Sequence, residues 1–139
     1  MRKVILDTGP LVALLNRRDR YHRWAVARWS EAHPPLLTCE SVISEASFLL
    51  AAAPGGGSAV LEMVHRRVLS LAFRLEDEAT AVANLMTRYL DVPMSLADAC
   101  LVRMTEQHAD SAVLTLDRDF RLYRRHGRQI IPTLMPYAP

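Results

Sequence analysis

The chain has 139 residues, half of them hydrophobic, and a formal charge of only +2. That length and composition predict one compact domain spanning 1–139, with a core that needs neither disulfides nor a structural metal. No apolar run approaches the roughly 18 residues needed to cross a bilayer. Asp7 breaks the N-terminal apolar run too early for a signal peptide, so a cytoplasmic protein with no membrane partner is expected. Cys39 and Cys100 lie far apart without zinc-like spacing and read as small buried hydrophobes. Lys3 is the only lysine, and every other basic residue is arginine, whose planar fork suits phosphate recognition.

In chain order, Val4-Ile5-Leu6 is an apolar, β-branched run that predicts a strand buried on both faces. Asp7 ends it, and Thr8-Gly9-Pro10 turns the chain into a helical pattern at Leu11–Leu15. This is the first half of a βαβ unit. Ligands of open α/β sheets bind outside the carboxyl ends of the strands, where Asp7 falls. The plain alternative is an Asp that only supports the turn or caps the helix.

Asn16–Arg20 reads as a polar loop, with Asp19 as N-cap of a helix over Tyr21–Trp29. Pro34-Pro35 ends that helix and Leu36–Thr38 predicts a second strand. A helix from Glu40 to Ala53 stops at Pro54-Gly55-Gly56-Gly57, Ser58 is placed to cap the next helix, and Leu69–Phe73 reads as a third strand. Helical spacing over Asp77–Leu90 and from Ser95 to about His108 precedes a strand at Ser111–Thr115. A short basic helix over Asp119–Arg125 and an edge strand at Gln129–Pro132 complete the prediction. Strands alternating with helices imply a three-layer αβα arrangement around a mainly parallel sheet.

Most of the fifteen carboxylates sit where solvent is expected, with Glu76, Asp77 and Glu78 at a helix start. Four do not. Asp7 and Asp117 follow buried-looking strands and, if these are parallel, emerge at the same sheet edge. Glu45 has Val42, Phe48 and Leu49 at helical neighbour positions, which predicts an acid on an apolar stripe. Asp98 is similarly surrounded by Met94, Leu101 and Val102, although Ser95-Leu96-Ala97-Asp98 also reads as a capping box. Isolated buried carboxylates are costly unless paired or bound to a metal. Clustered, these four would need a hard cation, Mg2+ or Mn2+, and such a site can ionise a water for phosphodiester displacement. Without these four acids the chain has 17 basic against 11 acidic residues, a balance of +6 facing a polyanion.

The series Leu6-Asp7-Thr8, Ser44-Glu45, Ser95-Leu96-Ala97-Asp98 and Thr115-Leu116-Asp117-Arg118-Asp119-Phe120 resembles the PIN-domain nucleases, closest to VapC-type toxins of bacterial toxin–antitoxin pairs. The resemblance spans nearly the whole chain. It implies a five-stranded parallel sheet and a Mg2+- or Mn2+-dependent endoribonuclease. Asp7, Glu45, Asp98 and Asp117 would form the acidic metal site, with Thr8 and Thr115 as hydroxyl neighbours. Asp119 stands in the same motif, though an N-cap for the helix after it is favoured. The resemblance also implies an RNA substrate, a homodimer and a small antitoxin partner.

Arg17, Arg18, Arg20 and Arg23 form one possible RNA contact, and Arg118, Arg121, Arg124 and Arg125 another; an ordinary solvated face is the alternative for each. A non-catalytic RNA-binding or regulatory module is the runner-up function. Aspartyl-phosphate proteins fit poorly: the phosphatase pattern wants a second acid at position 9, which is Gly9, and a receiver wants a late lysine. Pro54–Gly57 carries no phosphate-loop GKS/T sequence.

Overall fold

The computed structural model describes residues 2–139. Its elements in chain order are β1 (Lys3–Leu6), α1 (Thr8–Leu15), α2 (His22–Glu31), β2 (Leu36–Leu37), α3 (Glu40–Leu49), α4 (Ser58–His65), β3 (Leu69–Ser70), α5 (Leu75–Arg88), α6 (Leu96–Gln107), β4 (Ser111–Leu114), a 3-10 turn (Arg118–Arg121), β5 (Arg124–Arg125), β6 (Gln129–Ile130) and β7 (Thr133–Leu134). The main sheet has the order β3-β2-β1-β4-β7 with every pair parallel, so the predicted five-stranded parallel sheet is present.

The two central strands hold the longest ladder, Lys3 through Leu6 against Ser111 through Leu114. Ile5, Leu6, Ala112 and Val113 are fully buried. A parallel sheet covered by helices on both faces demands such continuous apolar strands. Packing between helices joins α1 to α2 and α3, α3 to α4, and α5 to α6, while α6 also lies against β1 and β4. The chain builds outward from β1 through β2 to β3, then returns to place β4 and β7 on the other side. The junction of β1 and β4 is therefore a topological switch point, the place where open α/β sheets leave a crevice at their carboxyl edge.

Local differences from the sequence expectation have identifiable causes. Asp19 accepts from the Tyr21 N–H at 2.8 Å and shapes the loop, and α2 starts one residue later than predicted, at His22. Ser58 is the first residue of α4 and not its cap; its hydroxyl donates back to the Gly55 carbonyl. The basic segment departs furthest. Where a helix over Asp119–Arg125 is predicted, a single 3-10 turn ends at Arg121, and β5 pairs antiparallel with β6 in a separate ribbon. His126 and Gly127 both take left-handed backbone angles (φ 50° and 78°), which reverse the chain between β5 and β6 and let Arg124–Arg125 pair as a strand. Gln129–Ile130 belongs to that ribbon, and the fifth strand of the main sheet is instead Thr133–Leu134.

The core includes Leu101 of α6, which is fully buried among the sheet-facing residues. Leu101→Ala should lower unfolding free energy by about 2–5 kcal/mol, read as a lower urea midpoint with unchanged slope.

Candidate active site

At the carboxyl edge of β1 and β4 lies an open cavity of about 420 Å³, lined by Asp7, Thr8, Gly9, Glu45, Ser95, Asp98, Leu116 and Asp117. A larger cavity of about 920 Å³ beside Leu15, Arg17, Arg18 and Leu49 contains no acid. Size therefore does not mark the chemistry. Chain topology does, because the four acids of the smaller cavity come from the end of β1, α3, α6 and the segment after β4.

Asp7 is 8% exposed. The β1–β4 ladder continues through a bond from its N–H to the Leu114 carbonyl. Its Oδ1 accepts from the Thr8 N–H at 2.8 Å, and its Oδ2 accepts from the Thr115 hydroxyl at 2.6 Å. Thr115 Oγ1 accepts in turn from the Asp117 N–H at 2.9 Å. One buried hydroxyl thus ties the two strand-end acids together. Burial raises the Asp7 carboxyl from 3.8 to about 6, with smaller upward pushes from the charges of Asp98 and Asp117. The bonds from Thr115 and Thr8 oppose that rise without cancelling it.

Asp98 is half-buried on the first turn of α6. Its N–H donates to Ser95 Oγ at 3.0 Å, so the capping-box reading and the site reading both describe it. Its Oδ2 accepts from the Tyr123 hydroxyl at 2.9 Å. Burial, and then the Asp117 charge, raise its carboxyl above the usual range. Asp117 accepts from the Asp119 N–H at 2.9 Å and caps the 3-10 turn. The cap predicted for Asp119 is therefore made by Asp117, two residues earlier. Asp119 does not line the cavity.

Glu45 lies on the cavity wall, but the expectation that it occupies a buried apolar stripe is incorrect. The buried face of α3 is Val42, Ile43 and Ala46, whereas Glu45 is exposed, with Phe48 and Leu49 at 75% and 57% exposure beside it. Helical spacing alone could not choose between the two faces, because apolar residues occupy both.

Sequence reasoning passed over Tyr123. Its side chain is fully buried, edge-on to Phe120 and Tyr89 with ring centroids 5.2 and 5.1 Å away. Burial and the Asp98 charge push its phenol well above the usual tyrosine range, which keeps it a hydrogen-bond donor. The only sequence signal was an aromatic pair, Phe120 and Tyr123, inside a basic stretch. Its partner lies 25 residues away. Gly9 also gains a physical reason, since a Cβ there would approach the Leu116 side chain to 3.1 Å.

The donor set suits a hard divalent cation. It offers only carboxylate and hydroxyl oxygens, and the Thr8 hydroxyl is buried with no hydrogen-bond partner. Among the described residues, no group of three or more His, Cys, Asp or Glu side chains is disposed to hold a metal ion by itself. Mg2+ is usually held by one or two carboxylates and keeps several waters, so it asks for fewer protein ligands than such a group.

The arginines divide. None of Arg17, Arg18, Arg20, Arg23, Arg118 and Arg121 lines the acidic cavity. Arg17, Arg18, Arg20, Arg23 and Arg118 are exposed. Arg121 donates to the Tyr137 carbonyl at 3.3 Å. Arg124 donates to the carbonyls of Arg121, Leu122 and Tyr123, and Arg125 to that of Ala109, so these two brace backbone. Cys39 and Cys100 are buried free thiols.

Two outcomes follow from this geometry. Asp7 binds its proton more tightly folded than unfolded, so between about pH 4 and 6 the folded state holds more protons and stability falls as pH rises. In metal-free protein this group should cost about 3 kcal/mol above pH 6, and Asp7→Asn should be the more stable chain at pH 8 in urea titrations. Tyr123→Phe should fold normally and lower the activity of the site by about 10- to 100-fold, since it frees Asp98 to change rotamer.

The PIN domain family model matches residues 4–125 of the chain. A search of curated proteins finds no match. Among solved structures the fold is similar to the crystal structure of VapC20 from Mycobacterium tuberculosis, a Sarcin-Ricin loop cleaving toxin, with a TM-score of 0.72 and 21% identity over 94% of this chain and all of that one. The family match covers most of the chain and contains all four cavity acids: the chain belongs to the PIN-domain family.

Proposed function

We propose that this chain is a divalent-metal-dependent endoribonuclease that hydrolyses RNA phosphodiester bonds, acting as the toxin of a toxin–antitoxin pair. The observation that carries this reading is the convergence of Asp7, Glu45, Asp98 and Asp117, from four separate elements, on one cavity at the sheet's switch point. The likeness in fold to VapC20, itself a Sarcin-Ricin loop cleaving toxin, supports it. A cytoplasmic location, a homodimer of single-domain 1–139 protomers and a small antitoxin partner belong to the same reading. No helix among the described residues is long and apolar enough to cross a membrane.

Asp7, Asp98 and Asp117, with Glu45 on the exposed wall, would hold a Mg2+ or Mn2+ ion, which supplies an ionised water and neutralises the charge developing on phosphate. The remaining work belongs to the chain. Thr115 and the Thr8 N–H fix both oxygens of Asp7, the Asp119 N–H fixes Asp117, and Tyr123 fixes Asp98. Each of the three aspartates is held by a neighbour before substrate arrives, so these carboxylates undergo little reorganisation during reaction. Leu116 and Gly9 line one side of the cavity, packed so closely that a side chain at position 9 would meet Leu116.

Purified protein should cleave unpaired RNA in Mg2+ or Mn2+ and not in EDTA. Asp98→Asn should retain the fold and lose at least about 100-fold in rate, judged by gel against the native chain. RNA binding without cleavage in any divalent ion would identify the non-catalytic module instead. Millimolar Mn2+ should raise the melting temperature of the metal-free native chain, by about 2.7 kcal/mol of stabilisation at 100 times Kd, and raise that of Asp7→Asn far less.

A further inference from the structure

Two basic stretches far apart in sequence meet in space through a pair of tyrosines. Tyr137, in the segment after β7, lies edge-on to Tyr21, with ring centroids 6.0 Å apart at 90°. The Arg118 guanidinium stands 3.8 Å from the Tyr137 ring centroid, and Arg20 stands 5.4 Å from that of Tyr21. The Tyr137 hydroxyl donates to the Leu116 carbonyl at 3.2 Å, and its own carbonyl accepts from Arg121. Leu116 lines the acidic cavity, and Asp117 is the only residue between it and Arg118. This arginine–tyrosine ledge therefore follows the cavity wall directly along the chain. Tyr137 lies outside residues 4–125, the part of the chain the family model matches.

We propose that Arg118, stacked on Tyr137, is a base-stacking subsite for an unpaired nucleotide of the RNA next to the phosphate held at the acidic cavity, with Arg20 meeting the adjoining backbone. The proposal rests on the ribonuclease reading above and adds the residues that receive an unpaired base beside the scissile phosphate. Arg118 is exposed with its guanidinium carbon over the tyrosine ring, so the side of the residue away from the ring is where a base would be received. A free arginine would lose rotamer freedom on stacking a base, whereas this one is already held flat by the ring. Bases stack on guanidinium planes as they do on aromatic rings, and only an unpaired, splayed base offers its face for this. A base inside a duplex is already covered on both sides, so the ledge selects loops and single strands.

The test uses a short unpaired RNA carrying one 2-aminopurine, bound to full-length chain in the Asp98→Asn background so that it stays uncut. KM and kcat are measured in the otherwise native chain. Arg118→Lys keeps the charge and removes the plane. It should weaken binding by about tenfold, abolish the quenching of 2-aminopurine, raise KM with little change in kcat, and leave the salt dependence unchanged. Tyr137→Leu should give the same losses with Arg118 still present, and Tyr137→Phe should bind within about twofold of the parent. If Tyr137→Leu unfolds, Arg118→Lys at its exposed position still decides. Native affinity and quenching in Arg118→Lys overturn the subsite. So does a loss confined to Arg118→Ala with a shallower salt slope, which marks a plain phosphate contact. An unmutated chain that neither binds nor cuts RNA overturns the ribonuclease reading itself, and that failure is visible before any ledge variant is compared.

Discussion

The hydrogen bond from the Thr115 hydroxyl to Asp7 is the contact on which the rest of the site depends. It exists because β1 and β4 are adjacent and parallel with Leu6 opposite Leu114, which sets the next residue of each strand side by side at the carboxyl edge. Burial raises the cost of a charge at Asp7, and the register supplies the donors that partly offset it. A one-residue slip would turn Thr115 to the other face and leave a buried carboxylate without its partner. The strand pairing that forms the centre of the core also sets the chemistry at its end.

Every acid of the cavity except the exposed Glu45 is also part of a local structural device. Asp7 accepts at the start of α1, Asp117 caps the 3-10 turn, and Asp98 stands in a capping box with Ser95. These local bonds immobilise the carboxylates, and preorganised groups are what a reaction that develops charge requires. Capping and metal binding are thus compatible roles for one side chain, since each carboxylate has two oxygens and several lone pairs. Tyr123 extends the scheme inward: a fully buried phenol transmits the packing of Phe120 and Tyr89 to the position of Asp98.

The arginines are equally divided by tertiary structure. Arg124 and Arg125 serve backbone carbonyls where the predicted helix is replaced by a turn and a two-stranded ribbon. Arg118 and Arg20 remain exposed on a tyrosine pair beside the acidic cavity. Composition records only that arginine is abundant; which arginines stay free for a polyanion depends on which carbonyls the fold leaves without other donors.

The sequence by itself determined the parallel αβα sheet, because β-branched apolar runs bounded by turns and separated by helical periods have few other solutions. It also placed Asp7 and Asp117 at the same sheet edge, since strand direction fixes which end a following residue occupies. It misjudged Glu45, whose helix carries apolar residues on an exposed face as well as a buried one. It had no means of finding Tyr123 or Tyr137, whose hydroxyls reach Asp98 and Leu116 across 25 and 21 positions. Hydrophobic periodicity and capping are local, so a single chain displays them. Contacts between distant side chains depend on how whole elements pack, and only the tertiary structure decided those.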